Sequence, residues 1–306
     1  MHLAGTIFPI FAIIVAGWLA GITGYMPRAL GASLTRFAYY VAMPALVFLT
    51  IGDEHLHSLL DWRFLAAFGG GSLICFAIAM AFAKIARGAR LGSSAMLAAS
   101  VSMTNTAFVA LPVLKALYGK PGVLAAAIAT VFVGAFMFPM LVILLEIDRF
   151  DASRTIRTGA LIRQIATNPV ILSTVFGLLW SFGGFGMPAP LESFLTVIGE
   201  ALTPCALFAI GLELTLGELR ERLGFYALLT ALKLAVVPLV VYVLCLASGL
   251  GHTATVAAVV CAAVPTAKSA YILAVEYDVE KTVVGSVISM STLFSIVTLL
   301  VWLAFI

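Results

Sequence analysis

Two stretches gather polar residues inside an otherwise apolar chain. The first, Ser100–Gly119 (SVSMTNTAFVALPVLKALYG), holds Thr104, Asn105, Thr106, Pro112 and Lys115. The second, Cys261–Asp278 (CAAVPTAKSAYILAVEYD), holds Pro265, Thr266, Lys268 and Ser269. Proline has no amide N–H and disfavours a helical residue before it, so polar residues clustered at a proline predict a helix that breaks at membrane depth. A break exposes N–H groups at the start of one half-helix and carbonyls at the end of the other, with partial charges of opposite sign. Free N–H groups suit a carboxylate. Thr104, Asn105, Thr106, Thr266 and Ser269 can donate or accept hydrogen bonds around it, between the breaks marked by Pro112 and Pro265.

Lys268 is the sharpest residue. A charge in mid-span costs about 2.5–3.5 kcal/mol on insertion scales. Three roles compete. It holds an anionic substrate, or neutralises half-helix carbonyl ends in place of a cation such as Na⁺, or pairs with an acid such as Glu200. The second role makes Na⁺ coupling less expected. A buried lysine can lose its proton, which keeps H⁺ coupling open. Lys233, halfway along another apolar run, is expected to pair with an acid or point into water, and Lys115 to line a route or snorkel outward. His55 and His57, near Asp53 and Asp61, have an i,i+2 spacing that puts them on different helical faces, so no metal site is expected there. Cys75, Cys205, Cys245 and Cys261 have no zinc or redox spacing and read as small buried hydrophobes. The absence of P-loop, GxSxG, HExxH and CxxC motifs gives no support to ATP-driven transport or to an enzyme, and no cofactor or nucleic-acid partner is expected.

The elements that must hold these residues are membrane helices. Of 306 residues 63% are hydrophobic and 10% charged, against roughly 25% charged in a soluble domain, and the mean hydropathy is +1.15. The net charge of +3 then bears on orientation rather than on acidic partners. Runs of about 20 apolar residues read as spans, here 6–24, 33–51, 64–86, 93–118, 122–146, 167–187, 192–214, 223–248, 253–275 and 282–305. The first run has no basic segment before it and is expected to stay as a span. The longest polar segment, 148–166, divides the chain into 1–147 and 167–306.

Basic residues set the orientation. Twelve (Arg28, Arg36, Lys84, Arg87, Arg90, Arg149, Arg154, Arg157, Arg163, Arg220, Arg222 and Lys281) follow the odd-numbered spans, against three (Arg63, Lys115 and Lys120) on the other side. Both termini are therefore expected on the non-cytoplasmic side. The halves also match at an offset of 160: Pro9 with Pro169, Gly17 with Gly177, Gly24 with Gly184, Ser33 with Ser193, Pro44 with Pro204, Phe48 with Phe208, and Thr106-Ala107 with Thr266-Ala267. Five spans per repeat is an odd number, so the second repeat must be inverted, a transporter architecture.

NTAFVALPVLKALYG, TPCALFAIGLEL, PTAKSAYILAVEY and SVISMSTLFSIVTL together resemble the auxin efflux carrier family in its short bacterial branch, along nearly the whole chain. The resemblance implies an all-α polytopic protein of the bacterial inner membrane. It implies ten transmembrane helices in two inverted five-helix repeats, with spans four and nine crossing at their breaks, as in sodium/proton antiporters and bile-acid-type symporters. It implies alternating-access transport of small organic anions, malonate or malate being the expected kind, by a homodimer. Substrate contacts would lie around Asn105, Thr106, Pro112 and Pro265, in a crossover unit beside a scaffold of spans one, two, six and seven. Where plant members carry an asparagine after the second proline this chain has Lys268 and Ser269. Where they carry an acid in span three, RFLAAF puts Phe68. The extra positive charge fits a smaller, more highly charged anion than auxin. A cation/proton antiporter on the same fold would want a carboxylate at the crossover, and Ser100–Gly119 has none. A non-transporting sensor is the remaining rival.

Overall fold

The computed structural model describes residues 2–52, 62–149, 163, 166–184, 186–214 and 222–306. The loop with Asp53, His55, His57 and Asp61, and most of the 148–166 connection, lie outside these. The described residues form twelve helices. They are α1 (His2–Ile22), α2 (Ala29–Gly52), α3 (Trp62–Arg87), α4 (Leu91–Ser102), α5 (Thr106–Tyr118), α6 (Lys120–Asp148), α7 (Pro169–Phe182), α8 (Ala189–Glu213), α9 (Leu223–Ala247), α10 (His252–Ala263), α11 (Lys268–Glu276) and α12 (Lys281–Phe305). Each of the ten apolar stretches is helical. The fourth is split into α4 and α5, and the ninth into α10 and α11. Six helices (α2, α3, α6, α8, α9 and α12) are long and apolar enough to cross a membrane.

Four of the prolines inside these helices are absorbed by a common device. Pro44, Pro112, Pro139 and Pro238 each follow a π-helical turn, at Ala38–Ala42, Thr106–Ala110, Val133–Met137 and Leu232–Val236 respectively. A proline ring collides with the carbonyl four residues before it, and here that residue lies inside the widened turn every time. Widening the turn moves the carbonyl aside without ending the helix.

The helices pack into two units, each built from both halves of the sequence. Unit 1 comprises residues 1–61, 106–130 and 166–214; unit 2 comprises 62–105, 131–165 and 215–306. Unit 1 is held by helices in near backbone contact. A Cβ on Gly211 of α8 would stand 2.0 Å from the Ile14 carbonyl oxygen of α1, and one on Gly17 would stand 2.3 Å from that of Phe208. Gly177 of α7 lies against Ile51 of α2, at 3.0 Å by the same measure. Small residues that bring backbones together are how helices associate where lipid removes the hydrophobic drive.

In unit 2 the short helices α4 and α10 are the core. Every residue from Ser94 to Ser102 and from Thr255 to Ala263 is buried. The longer helices carry apolar faces outward: Ile78 and Ile85 on α3, Val243 and Leu246 on α9, and Val297 and Val301 on α12 are exposed. Such faces suit hydrocarbon.

One end of unit 2 is tied by polar contacts. Arg90 lies 3.7 Å from Asp148, and Ser93 donates to Glu280. Arg149 donates to the Tyr277 carbonyl and stacks on its ring. The Tyr277 hydroxyl donates to Glu146 at 2.6 Å. Burial and that carboxylate push the phenol above its ordinary range.

Candidate substrate site at the crossover

The site grows from the ends of α4 and α10. After Ser102 the chain turns extended at Met103 (ψ 123); after Ala263 it turns extended at Val264 (ψ 160) and re-enters a helix only past Ala267. The two extended segments pair antiparallel, Thr104 opposite Thr266. The Asn105 N–H donates to the Pro265 carbonyl at 2.9 Å, and the Ala267 N–H donates to the Met103 carbonyl at 3.0 Å. In a membrane interior every backbone group needs an internal partner, so two interruptions that satisfy each other are a stable solution where one alone is not. Pro265 contributes by offering only a carbonyl.

Thr266 locks the pairing. It is fully buried; its hydroxyl donates to the Ser100 carbonyl at 2.6 Å, and its N–H donates to the Ser291 hydroxyl on α12 at 3.2 Å. One of the carbonyls left open at the end of α4 is thereby capped. Replacing Thr266 with Val should orphan that carbonyl and cost about 1–3 kcal/mol, read as a lower melting temperature in detergent.

Two sequence expectations need correction. The first break lies at 103–105, not at Pro112, which is buried inside α5 behind its π-turn. Lys268 is the first residue of α11 and so stands at the N–H end of a half-helix. Lys233 meets no acid among the described residues and does not point into water. It is fully buried, and its Nζ donates to the Ala262 carbonyl at 2.6 Å, at the end of α10. Sequence reading missed this residue's place and that of Ser291. The available signal for Lys233 was Pro238, whose π-turn contains it.

The other candidate residues fall as follows. In unit 2, Thr104 is 1% exposed and its hydroxyl has no hydrogen-bond partner among the described residues. Asn105 is buried, and Lys268 and Ser269 are half-buried in the first turn of α11. Pro265 is buried in the pairing itself. Unit 2 thus brings Thr104, Asn105, Pro265, Thr266, Lys268 and Ser269 onto two paired segments and the helix start that follows. Thr106 and Pro112 belong to unit 1, where the Thr106 and Thr130 hydroxyls lie 2.9 Å apart. Among the described residues no three His, Cys, Asp or Glu side chains form a metal-binding group. The cysteines are free thiols, Cys205 half-buried and the others buried.

Lipid-suited helices around a polar, mutually paired interruption define an integral membrane protein of the transporter class. The chain belongs to the membrane transport protein family, whose sequence profile matches residues 2–303, and which takes in the auxin efflux carriers. It is 25% identical over 300 residues to the "Putative malonate transporter" of Rhizobium meliloti (strain 1021), covering 97% of this chain and 93% of the relative. It is 24% identical over 308 residues to an uncharacterized transporter of Methanothermobacter thermautotrophicus, covering 97% and 96%. Auxin efflux carrier component 3a of Oryza sativa subsp. japonica is 28% identical over 148 residues, covering 46% of this chain and 24% of the relative.

Proposed function

We propose that this protein is a secondary transporter of small organic anions, mono- or dicarboxylates such as malonate or malate, working by alternating access at the crossover of the fourth and ninth apolar stretches. The observation that carries the reading is the start of α11. A half-helix with its N–H end and the Lys268 ammonium follows directly on the paired segment that faces Thr104, a buried hydroxyl with no partner. Positive charge, helix N–H groups and an unsatisfied hydroxyl are the groups that recognise a carboxylate. The name of the Rhizobium relative points to the same substrate class.

Several features support ten spans in two inverted repeats, 1–147 and 167–306. Asn105 and Pro265, joined by a backbone hydrogen bond, stand at the offset of 160. So do the two close approaches of unit 1, since Gly17 near Gly211 becomes Gly177 near Ile51 when each residue is exchanged for its repeat mate. Gly24 and Gly184, also mates, both adopt positive φ (72 and 64) after their helices. Unit 1 contains the helices of stretches one, two, six and seven, the set the family resemblance assigns to a scaffold. Arg90 beside Asp148, Lys281 beside Asp278, and Arg149 on the Tyr277 carbonyl share one end of unit 2, which supports a cytoplasmic face there and both termini outside. An inner-membrane homodimer remains part of the proposal through the resemblance.

The test is a thermal-shift screen of organic acids on the purified protein, at several pH values and with or without Na⁺, because a ligand that binds only the folded state raises its apparent stability. Stabilisation by small dicarboxylates is expected. A response to Na⁺ or Li⁺ alone would favour a cation antiporter instead. Thr104→Val should leave the unliganded melting temperature unchanged, since no hydrogen bond is lost, yet shrink the dicarboxylate shift.

A further inference from the structure

The end of α10 carries an electrostatic problem that the substrate reading does not address. The helix stops at Ala263 in the buried core of unit 2, and its last carbonyls project partial negative charge into that buried interior. Only the Val264 N–H, donating to Val260, relieves this end from within the chain's own turn. In membrane transporters with interrupted helices, such carbonyl ends are where a coupling cation is coordinated. Here a side chain reaches the place. Pro238 widens the turn Leu232–Val236 of α9, and Lys233 in that turn is fully buried with its Nζ 2.6 Å from the Ala262 carbonyl. The two broken ends are capped differently: α4 by the neutral Thr266 hydroxyl on Ser100, α10 by a lysine amine.

We infer that Lys233 is a tethered cation, a positioning residue that occupies the carbonyl end of α10 as a bound Na⁺ would and so holds the crossover shut without a metal ion. A charge-assisted hydrogen bond to a carbonyl in low dielectric is stronger than its neutral counterpart. A four-carbon stem anchored in a π-turn delivers it without the entropy of capturing a free ion. The consequence for transport, that the cycle needs no Na⁺, rests on the proposed function; the capping itself does not.

The test therefore reads stability in the absence of any organic acid. Lys233→Ala removes the three methylenes and the ammonium beyond Cβ, a volume that n-propylammonium fills, and propylamine crosses apolar barriers as the neutral base. Melting temperatures of the wild type and Lys233→Ala are compared in choline, sodium and n-propylammonium chloride at equal ionic strength. The expected result is a wild type indifferent to the cation, and a variant lowered by roughly 5 °C in choline that recovers at least half the loss in propylammonium or sodium. A variant as stable as the wild type in every salt overturns the inference. A loss equal in every salt also overturns it, because a pure packing defect answers to no cation. Should Lys233→Ala fail to fold, Lys233→Arg and Lys233→Gln decide: Arg keeps the charge and should melt near the wild type, while Gln keeps a donor without charge and should melt lower. Gln equal to or above Arg contradicts the assignment.

Discussion

Lys268→Gln is expected to weaken dicarboxylate binding about tenfold to a hundredfold, the loss of one or two charge-assisted hydrogen bonds, while leaving the unliganded protein at least as stable. The second half of the prediction follows from position. Lys268 opens α11, where the helix dipole is positive, so the dipole itself disfavours a cation there. Lys268→Arg should retain part of the affinity. Isothermal titration with malonate, alongside melting curves, separates the two effects. Unchanged affinity in the glutamine variant would remove the lysine from the site, and a destabilised variant with normal affinity would make it a packing residue.

Gly211→Ala is expected to be the most damaging small substitution in unit 1. The new methyl would sit 2.0 Å from the Ile14 carbonyl oxygen and 2.8 Å from the Trp18 nitrogen, both backbone atoms that cannot rotate away. α1 and α8 would have to separate, at a cost of about 1–3 kcal/mol or more. Gly70 on α3 is the control, since nothing lies within 4 Å of a Cβ there. Gly70→Ala should be neutral or stabilising by about 0.5–1 kcal/mol, the ordinary helix preference. The melting temperature should therefore fall in Gly211→Ala and hold or rise in Gly70→Ala.

The helices were legible because membrane helices declare themselves through long apolar runs, and all ten stretches proved helical. The crossing of two interrupted stretches was legible too: Thr104, Asn105, Pro265 and Thr266 do meet. The location of the first interruption was not. Pro112 looked like a breaker, but a proline's clash with one carbonyl can be relieved within the helix by a π-turn, and Thr106–Ala110 provides it. What ends α4 at Ser102 is its pairing with residues 264–267, a contact between segments more than 150 residues apart that no local pattern reports. Lys233 was misjudged for a related reason. Its partner is a backbone carbonyl freed by the end of another helix, and backbone acceptors have no signature in the sequence. Thr266 could be placed at the crossover but not assigned, because a hydroxyl's spacing does not tell whether it faces a ligand or the Ser100 carbonyl.

The most direct measurement is counterflow in proteoliposomes loaded with unlabelled malonate and diluted into labelled malonate. Wild-type vesicles should accumulate label transiently without any imposed ion gradient, Thr266→Val vesicles in proportion to the folded protein they contain, and Lys268→Ala and Thr104→Val vesicles at least tenfold more slowly per folded protein. Wild-type vesicles that exchange neither malonate nor any other small carboxylate, or Lys268→Ala and Thr104→Val vesicles that exchange at the wild-type rate, would contradict the placement of an organic-anion site at the paired interruptions.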